Sequence, residues 1–249
     1  MVKFKRYVRK TFRKGNLIVK GIKVFRFIKH TFYAKIKVRI GHFKAPPENI
    51  QFVGFFDKNR LVHTKEQFRH YFNKKHLYHD GKFREMKREI ISIVKFEDQI
   101  LLKKSFSGIQ RYNHFYNELI CLYKCQKINE TPGVRFVDYD SCTLYMDYIN
   151  GMTITTEGTK KLNFTKSEYK NMLMDFTKIL NQVHSAGVLM YDLKGTNMMK
   201  SDESCYFIDF ADAVYFGNIF RLLILQLVNK EKIRLNDELM TCIEHASEQ

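Results

Sequence analysis

The chemistry most readily read from this sequence rests on four residues. Asp192, Lys194 and Asn197 form the pattern D-x-K-x-x-N, and Asp209 follows twelve residues after Asn197 at the end of the apolar run 205–208. Such a set suits phosphoryl transfer, which asks a protein mainly for positioning and charge stabilisation. One carboxylate, Asp192, orients or deprotonates an attacking hydroxyl. Lys194 screens the charge of the group in transit. Asn197 and Asp209 supply hard oxygen ligands of the kind Mg²⁺ prefers. Taken alone, D-x-K-x-x-N also fits an ordinary surface loop, with Asp209 as a turn residue.

The spacing asks for a loop that carries 192–197 and a hairpin that brings Asp209 back beside it. The segments around it fit that demand. Thr165 and Glu168 form a capping box. Behind it Tyr169, Met172, Leu173, Phe176, Ile179, Leu180 and Val183 make one apolar helix face, which Gly187 ends. Residues 188–190 and 205–208 read as short strands on either side of the polar loop. Upstream, 89–96 and 99–106 are apolar-rich runs separated by Glu97-Asp98, a β-hairpin signal. Residues 111–126 have helical periodicity, and Thr131-Pro132-Gly133 breaks it. Two more strands are expected at 134–137 and 142–149. The order predicts an α+β chain, with a small sheet first and a helical part later.

Composition bounds the answer. The chain has 249 residues, 45% hydrophobic and 28% charged, which excludes wholesale disorder and a membrane-embedded bundle. No run approaches the roughly 18 apolar residues of a membrane span, and no secretory leader is expected. The five cysteines form no C-x-x-C pair and read as free thiols in a reducing compartment, with Cys121 and Cys125 on one core-facing helix stripe. His70, His76 and His79 fit no standard zinc spacing.

The net charge of +17 is concentrated. Residues 1–47 hold 15 of the 43 Lys and Arg and none of the 26 acidic residues. Phe4, Tyr7, Val8 and Phe12 recur among Lys3, Lys5, Arg6, Arg9, Lys10, Arg13 and Lys14, the pattern of a basic amphipathic helix. A second helix over 17–30 and an alternating strand over 34–40 follow, and Ala45-Pro46-Pro47 marks a boundary. A solvated basic face, phosphate binding on nucleic acid and docking to an anionic membrane all compete for this arm. The continuous apolar stripe favours the membrane surface, through residues 1–30, and nucleic acid is not expected. Residues 48–80, with a helix near 65–75, receive no role.

The residues quoted resemble the protein-kinase-like fold. Asp192 stands where that family has the aspartate of H-R-D-L-x-x-x-N, with Met190 and Tyr191 in place of His and Arg. Asn197 matches the metal-binding Asn, and Asp209-Phe210-Ala211 matches D-F-G with its Gly replaced. The missing Arg removes the partner of a phosphorylated activation loop. The resemblance implies a two-lobed fold, with a small antiparallel sheet in an N-lobe ending near 146, a reduced helical C-lobe from about 150, and the basic arm 1–47 outside a kinase-like domain 48–249. It implies ATP and Mg²⁺ as cofactors. Lys104 is expected at the ATP phosphates, because Ile100, Leu102, Lys104 and Phe106 share one strand face; Lys103 is the alternative. Glu118 is its expected ion-pair partner, the backbone of Asp147 and Ile149 would bind adenine, and 81–88 sits where the phosphate-covering loop belongs.

Forty residues follow Asp209, ending in an apolar helix over 219–228 and a short polar one, and no A-P-E motif is visible. The chain therefore looks like the bacterial lipopolysaccharide core kinases, the heptose and Kdo kinase group. That resemblance implies a lipid-linked glycan as acceptor and a peripheral location on the cytoplasmic face of the inner membrane. The alternatives are a reduced protein Ser/Thr/Tyr kinase, which the D-L-K form favours, and a soluble small-molecule phosphotransferase.

Overall fold

The computed structural model describes residues 43–57, 60–62, 88–107, 111–154, 164–215, 228–229, 231–237 and 239–240. The expected elements at 3–14, 17–30, 34–40 and 65–75 lie outside them, as do 81–88 and 219–228 except for the last residue of each, and His70, His76, His79 and Cys242.

The hairpin forms as the sequence predicts. β3 (Arg88–Phe96) and β4 (Gln99–Ser107) pair antiparallel from Phe96↔Gln99 to Arg88↔Ser107. Glu97 takes the left-handed φ of 53° that so short a connection demands. Residues left without a role fold as β1 (Gln51–Asp57) and β2 (Arg60–Val62), which extend the sheet beyond β3. Gly54 sits at the register shift where β1 bulges against β3. On the other side β4 pairs with β6 (Thr143–Asp147), and β6 with β5 (Val134–Asp138). The sheet is antiparallel, in the order β2-β1-β3-β4-β6-β5. β6 is shorter than expected at both ends. Cys142 belongs to the turn before it, with φ 53°, and the backbone leaves the ladder after Asp147.

α1 (Arg111–Cys125) follows β4 and packs beneath it. From His114 to Leu122 every residue of α1 is buried. A helix covered all round needs neighbours on every side, and it finds them in the sheet and in the segment 209–215. Phe115, fully buried, packs edge-on against Phe106 of β4; burying such a ring contributes about 1.5–3 kcal/mol.

β7 (Met152–Thr153) leads on to α2 (Lys166–Ser185). The capping box forms as read, with Thr165 Oγ1 accepting from the Glu168 N–H and the Glu168 carboxylate accepting from the Thr165 N–H. Tyr169, Met172, Phe176, Ile179, Leu180 and Val183 are buried, and Leu173 only half so. Gly187 leaves the helix at φ 78°. Then come β8 (Val188–Leu189), β9 (Met198–Lys200), β10 (Cys205–Phe207) and β11 (Val214–Tyr215). β9 pairs with β10 and β7, and β11 with β8. One core joins β4, β6, α1, α2 and these short strands; a smaller cluster of Val94, Leu101 and Tyr145 covers the sheet's other face. Cys121, Cys125, Cys142 and Cys205 are all buried free thiols.

The packed body reaches upstream of the expected boundary at residue 47. Phe43 stacks edge-on against Tyr123 of α1, and the Val137 N–H donates to the Lys44 carbonyl at 3.0 Å. No helix among the described residues is long and apolar enough to cross a membrane.

Candidate active site

Alternation along β4 decides which lysine enters the site. Lys104 shares its face with Phe106, in the main core, and is 3% exposed. Lys103 turns to the opposite face and lies over the Tyr145 ring. A buried ammonium is tolerable only among carboxylates or carbonyls. Lys104 Nζ has two: Glu118 of α1, at 2.8 Å from Oε2 and 3.1 Å from Oε1, and Asp209, at 2.8 Å from Oδ1. The Oε1 contact has hydrogen-bond geometry; the shorter Oε2 contact is electrostatic without it. Glu118 is 1% exposed, whereas the Asp209 side chain is one-third exposed. The lysine thus joins a deeply buried acid to one that faces outward.

The loop 190–197 brings the second group together. Lys194 Nζ lies 2.6 Å from Asp192 Oδ2. Burial on its own lowers the Lys194 pKa, but the hydrogen bond and charge of Asp192, with Asp209 and Asp212 behind it, more than offset this and leave it raised. The 3₁₀ turn Gly195–Asn197 folds back so that Asn197 Nδ2 donates to the Asp192 carbonyl at 2.8 Å. That bond fixes the amide and leaves Oδ1, which takes a 3.3 Å contact from Thr196 Oγ1, as the atom that could meet a cation. The β9–β10 hairpin returns the chain, and the Ile208 N–H donates to the Asn197 carbonyl at 2.9 Å. Asp209, next in sequence, adopts φ 62°. Asn197 and Asp209 therefore stand side by side on neighbouring strand ends.

This donor set fits Mg²⁺. Among the described residues no three His, Cys, Asp or Glu converge as a cage, and Mg²⁺ is commonly bound by one or two carboxylates plus substrate phosphates, not by an all-protein cage. Asn197 and Asp209 would hold it.

Two groups absent from the sequence reading hold the loops in place. Glu231, from the helical stretch 231–237, is 5% exposed and reaches the residues just before Asp192. It accepts the Tyr191 N–H at 2.5 Å and the Met190 N–H at 3.2 Å, and His184 Nε2 of α2 lies 2.8 Å away. Arg234, one turn on, donates to the Tyr191 carbonyl at 2.9 Å. Tyr191 itself is left-handed, φ 59°. A non-glycine residue in that region costs about 1–2 kcal/mol, so both of its peptide groups are gripped by one helical stretch. On the opposite side, Asn117 of α1 bonds the loop after Asp209, as described below.

Asp147 and Ile149 lie apart from these groups. Asp147 ends β6 opposite Leu101, three residues from Lys104 on β4. Its N–H donates to the Gly133 carbonyl, so an adenine contact from this residue falls to its carbonyl. Its side chain pairs with Arg135, at 2.5 Å from Nε and 3.2 Å from Nη2. A Cβ at residue 133 would meet this carboxylate, whose side chain would have to shift to make room. Ile149 is half-buried beyond the strand end. In comparison with known proteins, the chain matches no family model and no curated protein.

Proposed function

We propose that the chain is an ATP- and Mg²⁺-dependent phosphotransferase with a protein-kinase-like, two-lobed fold. The observation that carries this reading is Lys104, buried between Glu118 and Asp209 beside the Asp192–Lys194–Asn197 loop. A strand lysine paired with a helix glutamate and facing a D-F-x aspartate is what protein kinases use to hold a nucleotide triphosphate. The antiparallel sheet with the glutamate helix packed beneath it supports the same fold.

In this scheme Lys104 binds the ATP phosphates, with Glu118 keeping it oriented, and the carbonyl of Asp147 and the N–H of Ile149 hold adenine. Asn197 and Asp209 hold Mg²⁺, which when bound neutralises charge developing on the phosphates. Asp192 accepts the hydrogen bond of the attacking hydroxyl and fixes its direction. Lys194 offsets charge on the transferring group at short range. The acceptor proposed is a sugar hydroxyl of a lipid-linked glycan, a heptose or Kdo of a lipopolysaccharide core, at the cytoplasmic face of the inner membrane. The basic arm supports that choice. Fifteen cations without one acid suit an anionic, phosphorylated surface, and Phe43 and Lys44 tie the arm to the body. The Asp192–Lys194 contact favours one second reading, a reduced protein kinase.

The test is transfer of γ-labelled phosphate by the purified chain with Mg²⁺, to dephosphorylated lipopolysaccharide core or to a generic protein. Label in the glycolipid, lost in Asp192→Ala, is expected. Label in the protein alone supports the second reading, and no transfer in either tube defeats both. Removing residues 1–30 should abolish binding to anionic vesicles while turnover on a soluble acceptor persists.

A further inference from the structure

Asn117 precedes Glu118 on α1, and its side chain does something the nucleotide scheme leaves unused. It is 2% exposed. Its Nδ2 lies 3.3 Å from the Phe210 carbonyl and 2.9 Å from the Ala211 carbonyl, and approaches the Ala213 carbonyl most closely of all. The left-handed turn at Asp209 swings these carbonyls towards the helix, where buried acceptors need a donor. His114, one turn earlier on the same face, adds a 3.5 Å contact from Nδ1 to the Ala211 carbonyl. Within the loop, the Ala213 N–H donates to the Phe210 carbonyl, and the Ala211 N–H reaches Asp209 Oδ1.

One turn of α1 therefore holds the 209–213 loop twice. The ionic link runs from Glu118 through Lys104 to Asp209. The neutral link runs from Asn117 to the carbonyls of 210, 211 and 213. The two differ in what a ligand does to them. Lys104 and Asp209 are the atoms assigned to phosphate and cation, so their 2.8 Å contact must loosen when both are taken up. The Asn117 link uses no ligand-binding atom and survives.

We infer that Asn117 is a positioning residue for the cation site: it clamps the Asp209 loop to α1, so that Asp209 faces Mg²⁺ in a fixed place once Lys104 has released it. This rests on the phosphotransferase reading. It also means that the loop and α1 move together, because swinging Asp209 out would part the Asn117 amide from the buried carbonyls it bonds.

The experiment is equilibrium binding of a fluorescent ATP analogue to the full chain, titrated with MgCl₂, with thermal unfolding recorded alongside. Loss of an outer group that orients a metal ligand typically costs about tenfold or more in metal affinity. Asn117→Leu, similar in size and without a donor, should therefore raise the Mg²⁺ midpoint about tenfold, with nucleotide affinity at saturating Mg²⁺ changed little. Leu119→Ala is the control. It opens a cavity in the same helix turn, fully buried, and should lower thermal stability without moving the Mg²⁺ midpoint. An equal shift in both variants would mean that Asn117 is merely structural and overturns the inference. An unmoved midpoint in Asn117→Leu overturns it as well, with the phosphotransferase reading intact. Absence of Mg²⁺-dependent nucleotide binding in the unaltered chain removes that reading and this inference together. Should Asn117→Leu fail to fold, Asn117→Ser, whose short hydroxyl cannot serve three carbonyls, carries the same test.

Discussion

Replacing Glu231 with Gln tests whether the loop before Asp192 is held by this one carboxylate. The substitution keeps the shape and removes the charge. Both oxygens are in use: Oε1 takes the Tyr191 N–H, and Oε2 takes the Met190 N–H and His184 Nε2. A carboxylate can only accept, so His184 carries its proton on Nε2. A glutamine has one accepting oxygen. Placed at Oε2 it keeps two of the three bonds and turns its NH₂ against the Tyr191 N–H. Hydrogen bonds to charged groups are each worth about 1.5–3 kcal/mol, so the loss of stability should be about 2 kcal/mol. The effect on turnover should be as large. Tyr191 sits about 1–2 kcal/mol uphill in a left-handed conformation, and it would lose the grip on its N–H while keeping the Arg234 bond to its carbonyl. Asp192 is the next residue. A misplacement of about 1 Å in an orienting group can cost about a hundredfold in rate. We expect single-turnover transfer to fall about 10- to 100-fold, with Mg²⁺-dependent nucleotide affinity within about twofold, because Lys104, Glu118 and Asp209 stand on other elements. Chemical denaturation and stopped-time label transfer read both effects. A Glu231→Gln chain with the original denaturation midpoint and the original rate refutes the reasoning, since the loop would then be set by something other than this grip.

Lys104→Met should abolish nucleotide binding and, by taking the ammonium from between Glu118 and Asp209, lower stability by about 3–5 kcal/mol; adding Glu118→Leu should restore part of that stability and none of the binding, as read by denaturation and nucleotide titration. Asp192→Ala should lower turnover about 10²–10⁴-fold with ATP affinity little changed, whereas Asp209→Ala should weaken Mg²⁺-dependent nucleotide binding itself; full turnover in Asp192→Ala would remove it from the chemistry. Burial pushes the thiols of Cys125 and Cys205 up to about 12 and that of Cys142 up to about 11, from an ordinary 9.0. These thiols stay protonated in the folded chain, so their contribution to stability is full below pH 9 and is lost as pH climbs towards 11–12. At pH 8 they should react with a disulfide reagent only as fast as the chain unfolds, and prompt reaction of all three in the native state would contradict the burial.

The parts of the site legible in the sequence are those set by contacts close in the chain. Alternation along 100–106 puts Lys104 and Lys103 on opposite faces, because a strand sends neighbours to opposite sides, and favours Lys104 with Lys103 as the alternative. The capping box of α2, the short turn of the β3–β4 hairpin and the six-residue reach from Asp192 to Asn197 are local in the same sense. The burial of Lys104 between two acids comes from contacts distant in the chain. β1 was illegible for a physical reason. Gln51–Asp57 has aromatic side chains without alternation, and the bulge at Gly54 shifts its phase. Glu231 was illegible for another. It lies nearly forty residues from Asp192, and its partners are backbone N–H groups, which every residue has and no motif marks. Asn117 left a trace: a poor helix former in mid-helix, among Phe115, Tyr116 and Leu119, asks what its amide bonds. The Glu118 ion pair drew attention to the neighbouring residue instead.

Charge explains why these grips are neutral or outside the site. Lys104 and Lys194 face Glu118, Asp192 and Asp209, so carboxylates outnumber ammoniums, and Asp212 near Lys194 and His114 adds to the excess. On the phosphotransferase reading, such a site repels a bare triphosphate and accepts one that arrives with Mg²⁺. Each lysine meanwhile neutralises one acid at 2.6–2.8 Å, contacts that must be exchanged for those to phosphate and metal. If those ion pairs alone fixed the loops, the exchange would release Asp209 and Asp192 at the moment they are needed. The two carboxylates instead sit at or beside left-handed residues, Asp209 and Tyr191: Asn117 holds the carbonyls that follow Asp209, and Glu231 with Arg234 holds the peptide groups of Tyr191. Those bonds end on peptide groups, which the ligand does not touch. The ion pairs are therefore free to change partners while the backbone that aims the acids stays where it is.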